Sequence, residues 1–194
     1  LKRSNALETI WQRPITAEQL QAELNRMTSQ TRDPQVLQEF LLALGNDPFV
    51  IAETLARQTL AERLVRNWYA FDERFHGETK AKAQAALATC DNAGCMKAMG
   101  GSYQETTWRL CGDSDRVEAE PRDAEGRVIS LETEEWDKHL ARLATNVGGA
   151  PVALSLMTLS AVEEGPDAFV VTAVLAQGAS EITTAATVWP KTSF

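Results

Sequence analysis

Apolar residues recur every three or four positions through the first half of the chain, which is the period of amphipathic helices. Three of the predicted helices begin at good N-capping residues, namely Thr16, Asp33 and Asp47. Gln19 completes a capping box with the first of these residues, and prolines follow the other two directly. The connections are short, so we expect neighbouring helices to fold back on one another.

A longer helical stretch runs from Pro48 towards Leu87, with a break expected near Gln58-Thr59 or at Gly77. Its aromatic residues step by three and four along one face: Trp68, Phe71 and Phe75. We expect this face to be buried, because covering each large side chain contributes roughly 1.5–3 kcal/mol. The open alternative is that the same face is exposed and binds peptide.

The pattern changes after Leu87. A Gly- and Asn-rich segment at 89–102 predicts a linker. Tyr103–Leu110 alternates and is β-prone, the segment 131–144 is an amphipathic helix, and two β-rich segments flank residues 177–180 as an antiparallel hairpin. We therefore predict a helical domain at 1–88, a linker at 89–102 and a small α+β domain with an antiparallel sheet at 103–194.

Composition narrows the function. A formal net charge of −8 and a pI near 4.9 over 194 residues argue against nucleic acid as a partner, since phosphate binding needs a basic face. No apolar run reaches the length of a membrane span. The chain starts at Leu1 with no segment resembling a signal peptide, and we expect it to be a piece of a longer precursor.

The cysteines and histidines offer little chemistry. Cys90 and Cys95 bracket a short loop and are candidates for a small disulfide in an oxidising compartment, with three unremarkable thiols as the alternative. His76 and Glu78 followed by these cysteines fit a zinc deaminase pattern poorly, because the cysteine spacer is wrong. His139 is expected at a surface or boundary. We predict no catalytic residue, no metal site and no cofactor.

One acidic segment invites a calcium interpretation. Its carboxylates are Asp113, Asp115, Glu118 and Glu120. The segment lacks the central glycine and the terminal glutamate spacing of a calcium-binding loop. We therefore expect a solvated acidic loop.

Residues 15–66 carry a hydrophobic-Thr-x-Glu opening helix, a short second helix that ends in Leu-x-x-x-Gly, and a third helix with an aliphatic–basic rhythm in "LARQTLAERL". This pattern resembles the helical chaperone module of SurA-type periplasmic foldases. In that family a parvulin-type prolyl isomerase domain follows, and "LSAVE" at 159–163 is similar to the segment that introduces its closing strands.

Parvulin domains carry one histidine on the first strand and another on a closing strand. In this chain those strands offer other residues: Thr106, Thr107, Trp108, Thr183, Thr184 and Thr187. The resemblance therefore implies a degenerate, inactive parvulin-like domain behind a chaperone-like helical domain. It also implies a periplasmic, cell-envelope or secreted location.

Three functions compete at this stage. The first is a non-catalytic foldase-like module that binds unfolded or extended polypeptide, or other domains of its own precursor, in a cradle lined by Trp68, Phe71, Phe75 and Trp108. The second is an active prolyl isomerase with a rearranged site. The third is a structural subunit of a larger assembly, whose apolar faces are covered permanently by protein partners.

Overall fold

The computed structural model describes residues 2–111 and 127–194. The acidic residues singled out above between 113 and 120 lie outside these ranges. The chain forms two compact units, the first ending at Asp72 and the second spanning Glu73–Ser193. We call them the helical unit and the sheet unit, and each is described by itself.

The helical unit contains five α-helices. They are α1 (Lys2–Trp11), α2 (Ala17–Gln30), α3 (Pro34–Ala43), α4 (Pro48–Ile51) and α5 (Arg57–Ala70). A five-residue π-helical segment, Ala52–Ala56, connects α4 to α5. Glu53 and Arg57 pair along this segment, with Arg57 Nη2 donating to Glu53 Oε1 over 2.8 Å.

The helix starts are built by the capping residues that the sequence predicted. The Thr16 hydroxyl accepts from the Gln19 amide, and the Gln19 side chain accepts from the Thr16 amide, so the capping box is formed. Asp33 accepts from the Val36 amide at the start of α3. Gly45 follows α3 with a φ of +68°, a left-handed conformation that glycine adopts without strain.

The breaks expected in the long helical stretch were wrong. Thr59 lies inside α5, and Gly77 lies inside α6 (Glu73–Ala88). The chain instead breaks at Phe71–Asp72, where Trp11 Nε1 of α1 donates to Asp72 Oδ2 over 2.8 Å. Asp72-Glu73 is itself a helix-start signal, because an aspartate precedes an acidic first turn.

The core of the helical unit lies where α1 and α2 pack on α5 and on the π-helical segment before it. Leu7 of α1 is buried against Ala61 and Val65 of α5. Leu20 of α2 is buried against Ala56 and Leu60. The apolar stripe of α5 is continuous because both α1 and α2 pack against it.

The sheet unit begins with α6 and a 3₁₀-helix, Ala93–Ala98. Its other helix among the described residues is α7 (Thr133–Val147). Its described strands are β1 (Ser102–Leu110), β2 (Arg127–Leu131), β3 (Gly149–Ala150), β4 (Ala153–Leu154), β5 (Glu163–Glu164), β6 (Ala168–Gln177) and β7 (Glu181–Pro190). The fold is thus mixed α and β, as expected. The 89–102 segment, expected to be a linker, carries the 3₁₀-helix, whose Met96 is fully buried.

The main sheet has the strand order β2-β1-β7-β6-β5. β6 and β7 form the expected antiparallel hairpin, and β1 runs antiparallel to β7. β2 pairs with β1 in parallel, so the sheet is mixed, whereas an antiparallel sheet was expected. The difference comes from β2, a strand that the sequence analysis did not predict.

The two faces of the sheet are covered by different elements. On one face α6 and the 3₁₀-helix pack over the strands, and Ala83, Met96 and Phe169 are buried there. On the other face α7 covers the sheet, and Trp136, Val174 and Ile182 are buried. The hairpin β3–β4 lies next to α7 and β6.

Candidate functional site

The four residues predicted to bind polypeptide are divided between the units. Trp68 packs against the α1–α5 core of the helical unit, and the Arg13 guanidinium carbon lies 4.3 Å from its ring centroid. Phe71 is an exposed residue just after α5, and Phe75 is exposed on α6. Trp108 lies on β1 in the sheet unit, so neither unit holds all four side chains.

Trp108 forms a polar and aromatic cluster on the α7 face of the sheet. Its indole Nε1 donates to Thr184 Oγ1 of β7 over 2.9 Å. His139 of α7 stacks on the indole, with ring centroids 4.1 Å apart. Trp108 therefore serves the interior of the sheet unit, and His139 is half-buried at the boundary position that the sequence indicated.

The surroundings of the His139 side chain favour the neutral form of its imidazole. Burial lowers its pKa, and the positive charge of Arg142 one turn along α7 lowers it further. Arg142 Nη2 also lies 3.5 Å from Glu163 Oε2 on β5. His139 Nε2 and Glu163 Oε1 are solvent-inaccessible and have no hydrogen-bond partner among the residues described.

The two histidines of the chain lie apart from each other in the sheet unit. His76 is buried on α6. The helices that carry His76 and His139 pack on opposite faces of the sheet. Within the described ranges no three His, Cys, Asp or Glu side chains are placed to hold a metal ion.

An exposed apolar surface of the helical unit lies on α3. In the portion of the chain the structure describes, α3 buries none of its residues. Most of the apolar side chains of α3 and of its C-cap Leu44 line one side of the helix, whereas Leu42 lies on the other side. The first group defines what we call the α3 ridge: Val36, Leu37, Phe40, Leu41 and Leu44. Phe40 is 54% exposed and Val36 is also exposed, while the three leucines are partly covered.

The sequence predicted a helix after Asp33 and the folding back of neighbouring helices on one another, but it did not single out the apolar side of α3 as a surface. The structure leaves Val36 and Phe40 exposed. The period of the pattern identifies which side of a helix is apolar, but it does not identify which helices pack on that side. The low charge of the segment was the feature of the sequence that could have indicated an apolar surface, because Glu39 is the only charged residue between Asp33 and Asp47.

Cys90 and Cys95 are joined by a disulfide that closes the turn between α6 and the 3₁₀-helix. Cys90 is buried, and Cys95 is partly covered and packs against the core of the same unit. The described free cysteine, Cys111, is partly buried just after β1. The disulfide therefore ties a structural turn to α6.

Comparison of the chain with protein-family models, curated proteins and solved structures found no match in any of the three. Among the described helices, none combines the length and the apolar character needed to cross a bilayer. The function therefore has to be argued from the surfaces themselves.

Proposed function

We propose that this chain is a non-catalytic, chaperone-like module that binds short apolar segments of extended polypeptide. The observation that carries the proposal is the α3 ridge, an apolar helix side that the helical unit does not bury. Ten residues are marginal for an isolated helix in water. The caps at Asp33 and Gly45 specify α3 locally, and a partner that covers the ridge would supply the missing burial.

The size of the ridge favours a short polypeptide segment over a second copy of the chain. Its exposed part consists mainly of two side chains, Val36 and Phe40, whereas a stable protein pair buries about 800 Å² per partner. A contact of this size supports weak and reversible binding. Such binding suits a partner that is captured and released.

The charge of the surface favours an uncharged partner. Glu39 is the single charged residue from Pro34 through Asn46. Capture would therefore rest on apolar contact rather than on ion pairs. Binding should change little when the salt concentration is raised.

We extend the proposal to the location and the family. The resemblance of residues 15–66 to SurA-type foldases supports a periplasmic, cell-envelope or secreted protein. The Cys90–Cys95 disulfide supports the same location, because disulfides persist in oxidising compartments. We also propose that the sheet unit is a degenerate parvulin-like domain.

The first prediction tests the α3 ridge with a matched pair of variants. The probe is a fluorescein-labelled peptide that alternates leucine and serine, and fluorescence anisotropy measures its binding to the full chain. Phe40→Ser should weaken binding about tenfold, because the contact loses most of a buried phenyl ring. Leu42→Ser is the control, since Leu42 is 57% exposed on the same helix but lies about 200° around its axis from Phe40.

Equal weakening by both variants would show that α3 is not a specific site, and absence of binding to the unaltered chain would end the proposal. A prolyl isomerase assay on a Xaa-Pro peptide is run alongside. Turnover well above the uncatalysed rate would replace the non-catalytic assignment with an isomerase that uses a rearranged site.

A further inference from the structure

An aromatic contact in the helical unit involves a residue from far along the chain. By its contacts Phe194 belongs to the helical unit, whereas Ser193 before it belongs to the sheet unit. The ring centroid of Phe194 lies 5.3 Å from that of Tyr69 and 6.5 Å from that of Trp11. We call Trp11 and Tyr69 together the aromatic seat, and Phe194 is the residue that occupies it.

The two rings of the aromatic seat are positioned by their own helices. Trp11 is the last residue of α1, and its indole packs against the core that α1 shares with α5. The indole Nε1 donates to Asp72 Oδ2 over 2.8 Å, which restrains the orientation of the ring. Tyr69 lies in the last turn of α5. The seat is therefore built from contacts of the helical unit to which Phe194 is added.

The neighbouring tryptophan of the helical unit has a different partner. The Arg13 amide donates to the Leu7 carbonyl over 2.9 Å, and this bond closes the end of α1. The Arg13 guanidinium carbon lies 4.3 Å from the ring centroid of Trp68. A cation over the face of an indole is a favourable contact in its own right. Trp68 is thus engaged by a cation and is not part of the seat.

The geometry of the contact favours an aromatic ring over an aliphatic side chain. The ring planes of Phe194 and Tyr69 are inclined by 73°, so one ring presents its edge to the other. The edge of an aromatic ring is partly positive and its face partly negative, so two rings attract at centroid separations of about 4.5–7 Å. An aliphatic side chain lacks this charge distribution and would keep only the apolar contact.

Phe194 occupies the seat without being buried in it. The residue is 59% exposed, and Thr192 and Ser193, which lead to it from the end of β7, are exposed as well. A side chain held in this way leaves its contact without opening a core, so the contact is reversible.

We propose that the aromatic seat is a binding site for a single aromatic side chain of a polypeptide partner, and that Phe194 occupies it as an internal, displaceable ligand. The present occupant defines the chemistry of the ligand, since the seat holds a phenyl ring. The inference does not rest on the α3 ridge, which is a different surface on a different helix. It adds selectivity for aromatic residues and an internal competitor that limits their binding.

The tether of the competitor sets the strength of the competition. Phe194 lies four residues after Pro190, where β7 ends. A ligand on a short tether has an effective concentration on the order of millimolar. A free peptide therefore has to reach a comparable concentration, relative to its own affinity, before it displaces Phe194.

The second prediction uses the full chain and a peptide that carries one 4-fluorophenylalanine between glycine and serine residues, with binding followed by fluorine NMR of the peptide. Phe194→Ala should strengthen binding several-fold, because no internal ring then competes for the seat. Ser193→Ala is the control, since Ser193 is exposed next to Phe194 and carries no ring. Tyr69→Leu combined with Phe194→Ala should cancel the gain, and urea unfolding checks that this variant keeps its fold.

A 4-fluorophenylalanine in place of Phe194 reports on the occupant directly. Its fluorine resonance should differ from that of the urea-unfolded chain, because the rings of Trp11 and Tyr69 lie beside it. Addition of the unlabelled phenylalanine peptide at millimolar concentration should move the resonance towards the unfolded position. The same peptide with leucine in place of phenylalanine should move it much less.

The possible results separate this proposal from the proposed function. If the phenylalanine peptide neither displaces the label nor binds better to Phe194→Ala, Phe194 is a permanent structural contact and the proposal is overturned. Equal displacement by the leucine peptide would overturn the selectivity for aromatic residues. The Leu-Ser peptide of the first prediction contains no ring, so its binding should be the same in Phe194→Ala and in the unaltered chain, and failure of the α3 ridge is detected independently.

Discussion

Two ionisable residues, one in each unit, show how individual side chains contribute to the interior of their own unit. Glu23 of α2 is buried, and it accepts from Arg63 of α5 over 2.6 Å and from Arg26 Nε of its own helix over 3.0 Å. The hydrogen bond from Arg26, supported by Arg63, lowers the pKa of the Glu23 carboxyl. Both arginines keep part of their surface in water, so the pair links α2 to α5 without burying an unbalanced charge.

The folded chain favours the charged form of Glu23 but the neutral form of His139. Its pKa in the folded chain is lowered from 6.5 by burial and by Arg142, so the folded state favours the neutral imidazole. As the pH falls through 6.5, the unfolded chain binds a proton that the folded chain resists. Folding stability associated with His139 is therefore fully present above pH 6.5 and is lost as the pH falls towards the lowered pKa.

The third prediction isolates this effect with His139→Phe, which keeps an aromatic ring against Trp108 but cannot bind a proton. Urea unfolding between pH 7.5 and pH 5 should show a decline in stability for the unaltered chain that is smaller in the variant. Glu23 does not interfere, because its lowered pKa places its loss of stability below its ordinary value of 4.5. An identical pH slope in both proteins would show that His139 does not titrate differently in the folded chain.

At the scale of elements, the sequence predicted what is encoded locally. The capping box at Thr16 and the start at Asp33 are properties of four consecutive residues, and the structure contains them as predicted. The hairpin β6–β7 is likewise encoded by two β-prone segments around a short turn. These features depend on residues that are close together in the sequence, so the sequence pattern predicts them directly.

The features that the sequence did not predict depend on distant partners. β2 is a five-residue strand, and its place in the sheet comes from pairing with β1. The π-helical segment Ala52–Ala56 lies in a pattern that reads as an ordinary helix. The exposure of the α3 ridge also depends on where other helices pack, so the sequence alone did not identify it as a candidate site.

The fourth prediction concerns the turn closed by Cys90 and Cys95. The cross-link restricts only a short loop of the unfolded chain, since the cysteines are five residues apart. Loop-closure entropy for so small a loop corresponds to about 2 kcal/mol of folding stability. We expect dithiothreitol to lower the free energy of unfolding of the unaltered chain by that amount, measured in urea.

The variant Cys90→Ala with Cys95→Ala should have the lower stability from the outset and should not respond to dithiothreitol. Cys111→Ala is the control, because Cys111 is a free cysteine and its removal leaves the response intact. A response that follows Cys111 would mean that another pairing forms in solution. Equal stability of the oxidised and reduced chains would show that the turn is fixed by the core contacts of Met96 alone.

At the scale of the whole molecule, the position of α6 decides where the chain divides. Composition suggested a boundary at 89–102, because glycine and asparagine are typical of linkers. The compact units instead divide after Asp72, and α6 packs on the sheet. Composition describes the local preference of a segment, whereas a boundary depends on where buried contacts stop, and Ala83 is fully buried in the sheet unit.

The fifth prediction compares two fragments that differ only in α6. A fragment of residues 73–194 keeps α6, whose Ala83, Ala86 and Leu87 pack against the buried side chains of β6 and β7. A fragment of residues 89–194 exposes that sheet face, at a cost of several kcal/mol against the roughly 5–15 kcal/mol by which a domain is stable. We expect cooperative urea unfolding from the longer fragment, measured by circular dichroism and tryptophan fluorescence, and a broad or absent transition from the shorter one. Equal transition midpoints would place the boundary at the 89–102 segment after all, because α6 would then add nothing to the stability of the sheet.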